Sequence, residues 1–154
     1  MTYPICYDRE RINGHIKKEG SGTMFLTKEC DYAIRIVRSL SGMSIKSVRA
    51  ICTDENMPHP FAYKILKKLE HAQIVKPFRG STGGYQLVKE PEIVTMLDIV
   101  SAVDDHLYLN ECLQEGYVCD NNRNGVECSV HQELNRIQAM LIEALSEKPM
   151  TQLV

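Results

Sequence analysis

Three cysteines and a histidine crowd one stretch of this sequence. Six residues separate Cys112 from Cys119, eight separate Cys119 from Cys128, and two separate Cys128 from His131. The residues between them include Gly, Asn and Asp, which favour a loop. Thiolates hold iron–sulfur clusters, and histidine can replace a cysteine there. Thiolates with neutral imidazole also hold zinc. Structural zinc sites pair their ligands tightly, and only Cys128 and His131 are close here. The spacing therefore favours a cluster, with zinc the runner-up and a thiol switch third. Two candidates compete for the fourth position. His131 is the local one. Asp31, far upstream, is its rival if it reaches the site from a partner subunit, although Arg35 four residues on also offers it a helix-surface ion pair.

A ligand loop needs fixed elements on both sides. After it, Ser129 and Gln132 spell a capping box, so a helix should open beside Cys128. Val130, Leu134, Ile137, Leu141 and Ala144 then recur at alternating spacings of four and three. That heptad-like seam asks for a partner helix and predicts a dimer. Before the loop, Thr95 with Asp98 is a second capping box, opening a helix through Leu97, Val100 and Val103.

Further upstream the pattern is helical from Thr27. Cys30, Ala33, Ile34, Val37 and Leu40 share one face, Thr27 is placed to cap, and Ser41-Gly42 to stop the helix. A second helix fits Ser44 to Cys52, with Ile45, Val48 and Ile51 inward. Thr53 to Asn56 turns the chain, and Pro58 and Pro60 suit the opening of a third helix, Pro60 to His71. Its inward face reads Phe61, Ile65, Leu66, Leu69, Ala72; its outward face reads Tyr63, Lys64, Lys67, Lys68, His71. Ile74 to Phe78 and Tyr85 to Val88 are β-compatible runs around the turn chemistry of Arg79 to Gly84. Three helices and a hairpin make a winged helix-turn-helix. The expected fold is mainly α with a small β-wing, a winged helix-turn-helix domain followed by a long C-terminal dimerisation helix.

The expected divisions are a winged domain over 24–90, a linker helix and ligand loop over 91–127, and a dimer helix with its tail over 128–154. Residues 1–23 read as a disordered tail ending in Gly20-Ser21-Gly22. Alternatively Met24 is the natural start, because Lys18-Glu19-Gly20 is what a purine-rich ribosome-binding site spells in translation.

Composition narrows the function. Apolar residues are 44% and charged residues 25% of the chain, with no apolar run of the roughly 18 residues a membrane span needs. The first residues lack a signal-peptide core, so a cytoplasmic protein is expected, and its six cysteines read as buried thiols or ligands, not disulfides. The net charge of −2 hides an asymmetry: Met24 to Glu90 holds 11 Lys/Arg against 6 Asp/Glu, whereas Pro91 to Val154 holds 3 against 11. Only the first of these halves suits a polyanion. In a helix-turn-helix the second helix enters the major groove. Lys64, Lys67 and Lys68 are placed to neutralise phosphates, Tyr63 and Lys64 to read bases, and Arg79 on the wing to enter a minor groove. No nucleophile–base constellation or phosphate loop argues for an enzyme or a small-molecule substrate. An iron–sulfur electron carrier is the rival from another class, and it leaves the basic helix and wing without a purpose.

Leu26-Thr27-Lys28 with Asp31-Tyr32-Ala33, Arg79-Gly80 with Gly83-Gly84-Tyr85, Asp98 to Val103, the three cysteines, Cys128 with His131, and the closing Leu153-Val154 together carry a family likeness. From Met24 onward the chain resembles the IscR/NsrR family of bacterial Rrf-type winged-helix regulators. The resemblance implies a homodimer on palindromic promoter DNA, acting as a repressor under the control of a cluster that reports iron–sulfur supply, iron, oxygen or nitric oxide. Cys112, Cys119, Cys128 and His131 match the ligands of the IscR branch, with [2Fe-2S]; Asp31 matches the carboxylate of the NsrR branch, with [4Fe-4S]. Pro60, Tyr63, Lys64 and Arg79 fall where the family touches DNA.

Overall fold

The computed structural model describes residues 26–80, 82–88, 92–105, 107–118 and 128–153. The expected tail, the Met24 start and Cys119 lie outside them. Among the described residues five α-helices and a two-stranded antiparallel sheet are found. Thr27 caps α1 (Lys28–Leu40), its hydroxyl accepting from the Cys30 N–H at 3.4 Å. Cys30, Ala33, Ile36, Val37 and Leu40 are buried, so one apolar stripe of α1 faces the core as its spacing predicts.

The second helix starts later than the sequence suggests. Ser47 caps α2 (Val48–Asp54), its Oγ accepting from the Ala50 N–H at 3.2 Å. Residues 44–46 are not helical because Lys46 is used elsewhere. Its N–H donates to the Tyr85 carbonyl at 3.0 Å and its carbonyl accepts from the Tyr85 N–H at 2.8 Å. Ile45, expected inward, is consequently exposed. The turn into α3 (His59–His71) passes through Asn56 at φ 48 and is closed by the Met57 N–H donating to the Cys52 carbonyl at 3.1 Å. Ala62, Ile65, Leu66 and Leu69 form the buried face of α3. Phe61, expected in that face, is 49% exposed and stands 6.1 Å from the Tyr32 ring. The wing is β1 (Val75–Phe78) paired with β2 (Gly84–Leu87), Val75 opposite Leu87 and Phe78 opposite Gly84.

The core does not stop at residue 90. In α4 (Met96–Val103) the Thr95 and Asp98 capping box forms with both reciprocal bonds, and Ile99, Val100 and Val103 are buried with Val94 against α1 and α3. The far end of the chain closes the same core. Met150 is 1% exposed, and its N–H donates to the Val94 carbonyl at 2.8 Å. Ile51, Ile65, Leu66 and Leu69 have no exposed surface, and each such side chain contributes about 1.5–3 kcal/mol of hydrophobic stabilisation. Between these layers, α5 (Ser129–Glu147) packs on α4 and on a short 3-10 turn, Glu111–Leu113. Among the described residues no helix is long and apolar enough to cross a membrane.

One buried acid pins the helix-turn-helix to α1. Glu55, at the C-terminal cap of α2, is 8% exposed. Arg38 holds its carboxylate through Nε at 3.3 Å and through a second guanidinium nitrogen, and Arg35 donates to its carbonyl at 3.3 Å. The carboxylate beside Arg38 raises that guanidinium's pKa above its ordinary value. Arg38→Ala strands a nearly buried charge, but the arginine itself is 53% exposed, so water recovers part of the loss. We expect a destabilisation of about 2–3 kcal/mol, below the cost of breaking a fully buried pair. Urea unfolding reads it as a lower midpoint at unchanged slope; an Arg38→Ala protein as stable as wild type is the contrary result.

Candidate nucleic-acid interface and ligand loop

The start of α2, the start of α3 and the wing face one groove. Ser47 and Arg49 border it from α2, His59 and Tyr63 from α3, and Arg79 and Gly80 from the wing. The His59 and Tyr63 rings lie 5.3 Å apart, one turn from each other on the exposed edge of α3. This edge continues to Lys67, which pairs with Glu70 at 2.8 Å. That hydrogen bond pushes the Lys67 ammonium pKa up. The groove thus offers aromatic, imidazole and guanidinium groups at the end of a helix, the equipment for touching base edges and phosphates. The sequence showed Tyr63 and Arg79. Arg49, His59 and Ser47 were missed; the signal for Arg49 was its place as the second residue after a serine cap.

The basic helix proves two-sided. Tyr63 and Lys67 lie toward the wing, whereas Lys64 and Lys68 both turn to Glu29 on α1. Lys64 bonds one carboxylate oxygen and Lys68 the other, at 2.7 Å for Lys68. Lys68 also donates to the Val103 carbonyl at the end of α4, at 2.7 Å. These hydrogen bonds, from Lys64 first and then Lys68, hold the Glu29 carboxyl below its ordinary pKa. Pro60 lies exposed at the second position of α3.

The ligand residues gather about α5. Cys128 is its cap residue, without a side-chain capping bond, so Ser129 stands at the first helical position and the expected Ser129 cap is displaced by one residue. His131 follows on the first turn and is half-buried, as is Cys128. Cys112 is half-buried on the 3-10 turn that packs against α5, with its N–H bonded to Asn110 Oδ1 at 3.3 Å. Two soft thiol donors and an imidazole on adjoining elements suit an iron–sulfur cluster or zinc in donor chemistry. Cys119 lies outside the described residues, and among those described no three His, Cys, Asp or Glu groups converge to hold a metal. Asp31 is taken up by Arg35, Oδ1 to Nε at 3.1 Å, on the half-exposed surface of α1. The other described thiols offer little chemistry: Cys30 is fully buried, and burial pushes the Cys52 thiol up.

Sequence reasoning missed the residue that ties this loop to its helix. Gln138 is 6% exposed in the middle of α5. Its Oε1 accepts from the Leu109 N–H at 2.9 Å and its Nε2 donates to the Leu107 carbonyl at 2.7 Å. A polar residue one turn from both Leu134 and Leu141 was the available signal. Of the seam residues, Leu134 and Leu141 are half-buried beside Gln138 on the inner side of α5, whereas Val130, Ile137 and Ala144 are exposed. Met140 is exposed too, leaving α5 with an exposed apolar side, whereas Ile142 lies toward Gln138 and α4.

Similar proteins agree on the architecture. Protein aau3 of Rhizobium meliloti is 29% identical over 62% of this chain and 63% of its own length. An HTH-type transcriptional regulator of Synechocystis is 33% identical over 54% of this chain and 59% of its own. The chain therefore spans about 60% of the length of these relatives. NsrR of Shouchella clausii is 26% identical over 80% of this chain and 78% of its own. A solved transcriptional regulator from Listeria innocua superposes with a TM-score of 0.68 at 26% identity, over 83% of this chain and 84% of its own. Solved structures of T. potens IscR (0.64, 20% identity, 87% and 88% covered) and of CymR, the global cysteine regulator of B. subtilis (0.63, 22%, 82% and 93%), share the fold. A family model described as Rrf2, iron-dependent transcriptional regulator, matches residues 26–154, and this chain belongs to that family.

Proposed function

We propose that this chain is a DNA-binding transcriptional regulator that works as a homodimer in the cytoplasm. Its grip on an operator is set by a centre at Cys112, Cys119 and Cys128, with His131 as fourth donor. The observation that carries the proposal is the placement of α5. One helix starts at Cys128 and His131, holds the Cys112 turn along its side, and packs on α4. Its exposed apolar side, Val130, Ile137 and Met140, fits a second copy. Two copies would present two grooves to half-sites about 34 Å apart, one turn of duplex. Arg49, His59, Tyr63, Lys67 and Arg79 would meet the DNA, the lysine and arginines supplying salt-dependent affinity.

The centre we favour is a [2Fe-2S] cluster; when bound, it supplies a state that oxygen, nitric oxide or iron supply can change. A [4Fe-4S] cluster with Asp31 of a partner subunit is the other arrangement, and the Asp31 pair with Arg35 counts against it, because that pair must break first. The role of the protein is to hold the thiols and imidazole on α5 so that occupancy biases one arrangement of the helix over another. A cysteine-thiol switch without metal is the second reading, favoured by the partial exposure of Cys112.

An anaerobic absorption spectrum with iron and sulfide analysis separates the two. Cys112→Ala, Cys119→Ala and Cys128→Ala are each expected to abolish the charge-transfer absorbance, leave the dimer intact and shift operator affinity by roughly 5- to 150-fold, the usual range of coupling between sites. Wild-type operator affinity in all three variants would end the proposal of cysteine control. Colourless protein whose operator affinity responds to thiol oxidation would leave the switch in place of the cluster.

A further inference from the structure

Glu29 has no part in the function proposed so far, yet it takes two of the three lysines of α3. We propose that Glu29 is a specificity-determining residue that serves as an internal surrogate for a DNA phosphate. It occupies ammonium groups that the backbone of any duplex would otherwise take. This rests on the reading that α3 and the wing bind duplex DNA.

The argument begins with chemistry. A carboxylate offers lysine what a phosphate offers, a pair of anionic oxygens, and each Glu29 oxygen receives one ammonium. Phosphate contacts add affinity without sequence information, so every lysine given to the backbone strengthens binding to the wrong sites as much as to the right one. Specificity is the difference between the two. The two sides of α3 differ: His59 and Tyr63 line the groove with the wing, Lys67 lies near Tyr85 and Arg79, and Lys64 and Lys68 turn toward α1. With Glu29 on Lys64 and Lys68 and Glu70 on Lys67, the helix keeps little unpaired charge. The two captured lysines differ. Lys68 is also fastened to the Val103 carbonyl, which holds it in place whatever happens to Glu29. Lys64, 57% exposed at the rim, is the one that Glu29 alone withholds among the described contacts.

The test is the salt dependence of binding to a random-sequence duplex pool by the full-length protein. Each phosphate contact steepens the slope of log K against log salt by about 0.9. Glu29→Gln keeps the side-chain size and removes the charge, so its slope should steepen by about one contact. Its affinity for the pool should rise at low salt, and the extra affinity should fall roughly three- to fourfold for each fourfold rise in salt. The Glu29→Gln/Lys64→Gln double variant should return to the wild-type slope, which separates the effect from misfolding. Lys64→Gln alone should leave the slope unmoved. Glu147→Gln, at the exposed end of α5, makes the same change in net charge and should also leave it unmoved.

An unmoved Glu29→Gln slope, or a slope made shallower by Lys64→Gln alone, would overturn the assignment. So would Glu147→Gln reproducing the Glu29→Gln change. Wild-type protein that does not bind duplex at all would overturn the DNA reading as well, a result distinct from these three.

Discussion

Gly84→Ala is expected to cost about 3–5 kcal/mol of stability and to abolish measurable operator binding. A Cβ at Gly84 would sit 2.1 Å from the Lys46 carbonyl oxygen, 2.5 Å from its carbon and 2.8 Å from the Ser47 nitrogen. All three are backbone atoms, so no side chain can swing aside. The strand and the 44–47 segment must part, and parting them breaks both Lys46–Tyr85 hydrogen bonds, at 3.0 and 2.8 Å. Overpacking of this kind costs about 1–3 kcal/mol and each backbone bond about 1 kcal/mol more. The functional loss should exceed the loss of stability, because the strained atoms belong to Ser47, the cap of α2, and to the wing, which are two walls of the groove. Gly42→Ala is the comparison. Nothing lies within 4 Å of its Cβ and its φ is ordinary, so the change should stay within about 0.5 kcal/mol. Thermal unfolding and DNA binding of the pair decide it; equal behaviour of the two variants would mean that the wing is not pinned at Gly84.

The second large effect belongs to Gln138. Removing its amide leaves the Leu107 carbonyl and the Leu109 N–H without their partner, at about 1–3 kcal/mol for each group that stays buried. The segment need not stay buried. We expect Gln138→Ala to release residues 107–113 from α5, so that the cost appears as local opening. Hydrogen exchange at Leu109 should speed up on the order of tenfold to a hundredfold, with little change at the core of α1 and α3. Cys112 lies three residues beyond Leu109, so in the same variant the centre proposed at Cys112, Cys119 and Cys128 should be lost faster to a chelator. Unchanged exchange at Leu109 would mean that the apolar contacts of this segment suffice without the amide.

Local rules made much of the fold legible. Thr27 and the Thr95–Asp98 box announced their helices, and the apolar spacing of α1 found its buried side. Errors came where a distant segment competed with a local signal. Ser44 to Lys46 reads as the start of a helix until Tyr85 claims the Lys46 backbone. Phe61 reads as core, but Ala62 is the residue that is buried and the Phe61 ring stands outside beside Tyr32. The candidate site was legible as residue types: thiols, imidazole, a basic helix, a wing. Its partners were not. Glu29 stands 35 residues from Lys64 and 39 from Lys68, and no periodicity relates them. Gln138 looked like one more polar residue on an amphipathic helix, and only its two backbone bonds reveal its work.

The end of the chain gives α5 a mechanical character. Met150, just past its last turn, is anchored in the core beside Val94, while its first turn carries Cys128 and His131. With 19 residues the helix is about 28 Å long, built into the core at one end and steadied along one side by α4 and the Leu107–Leu109 segment. A tilt of about 5° at the anchored end carries the other end about 2.5 Å along its arc. The lever would also run in reverse, a local change at the centre proposed at its tip becoming a few degrees at its root. That root, Pro149 and Met150, pairs with Thr95, the cap of α4, and with Val94, and α4 packs directly on the helix that would enter the DNA groove.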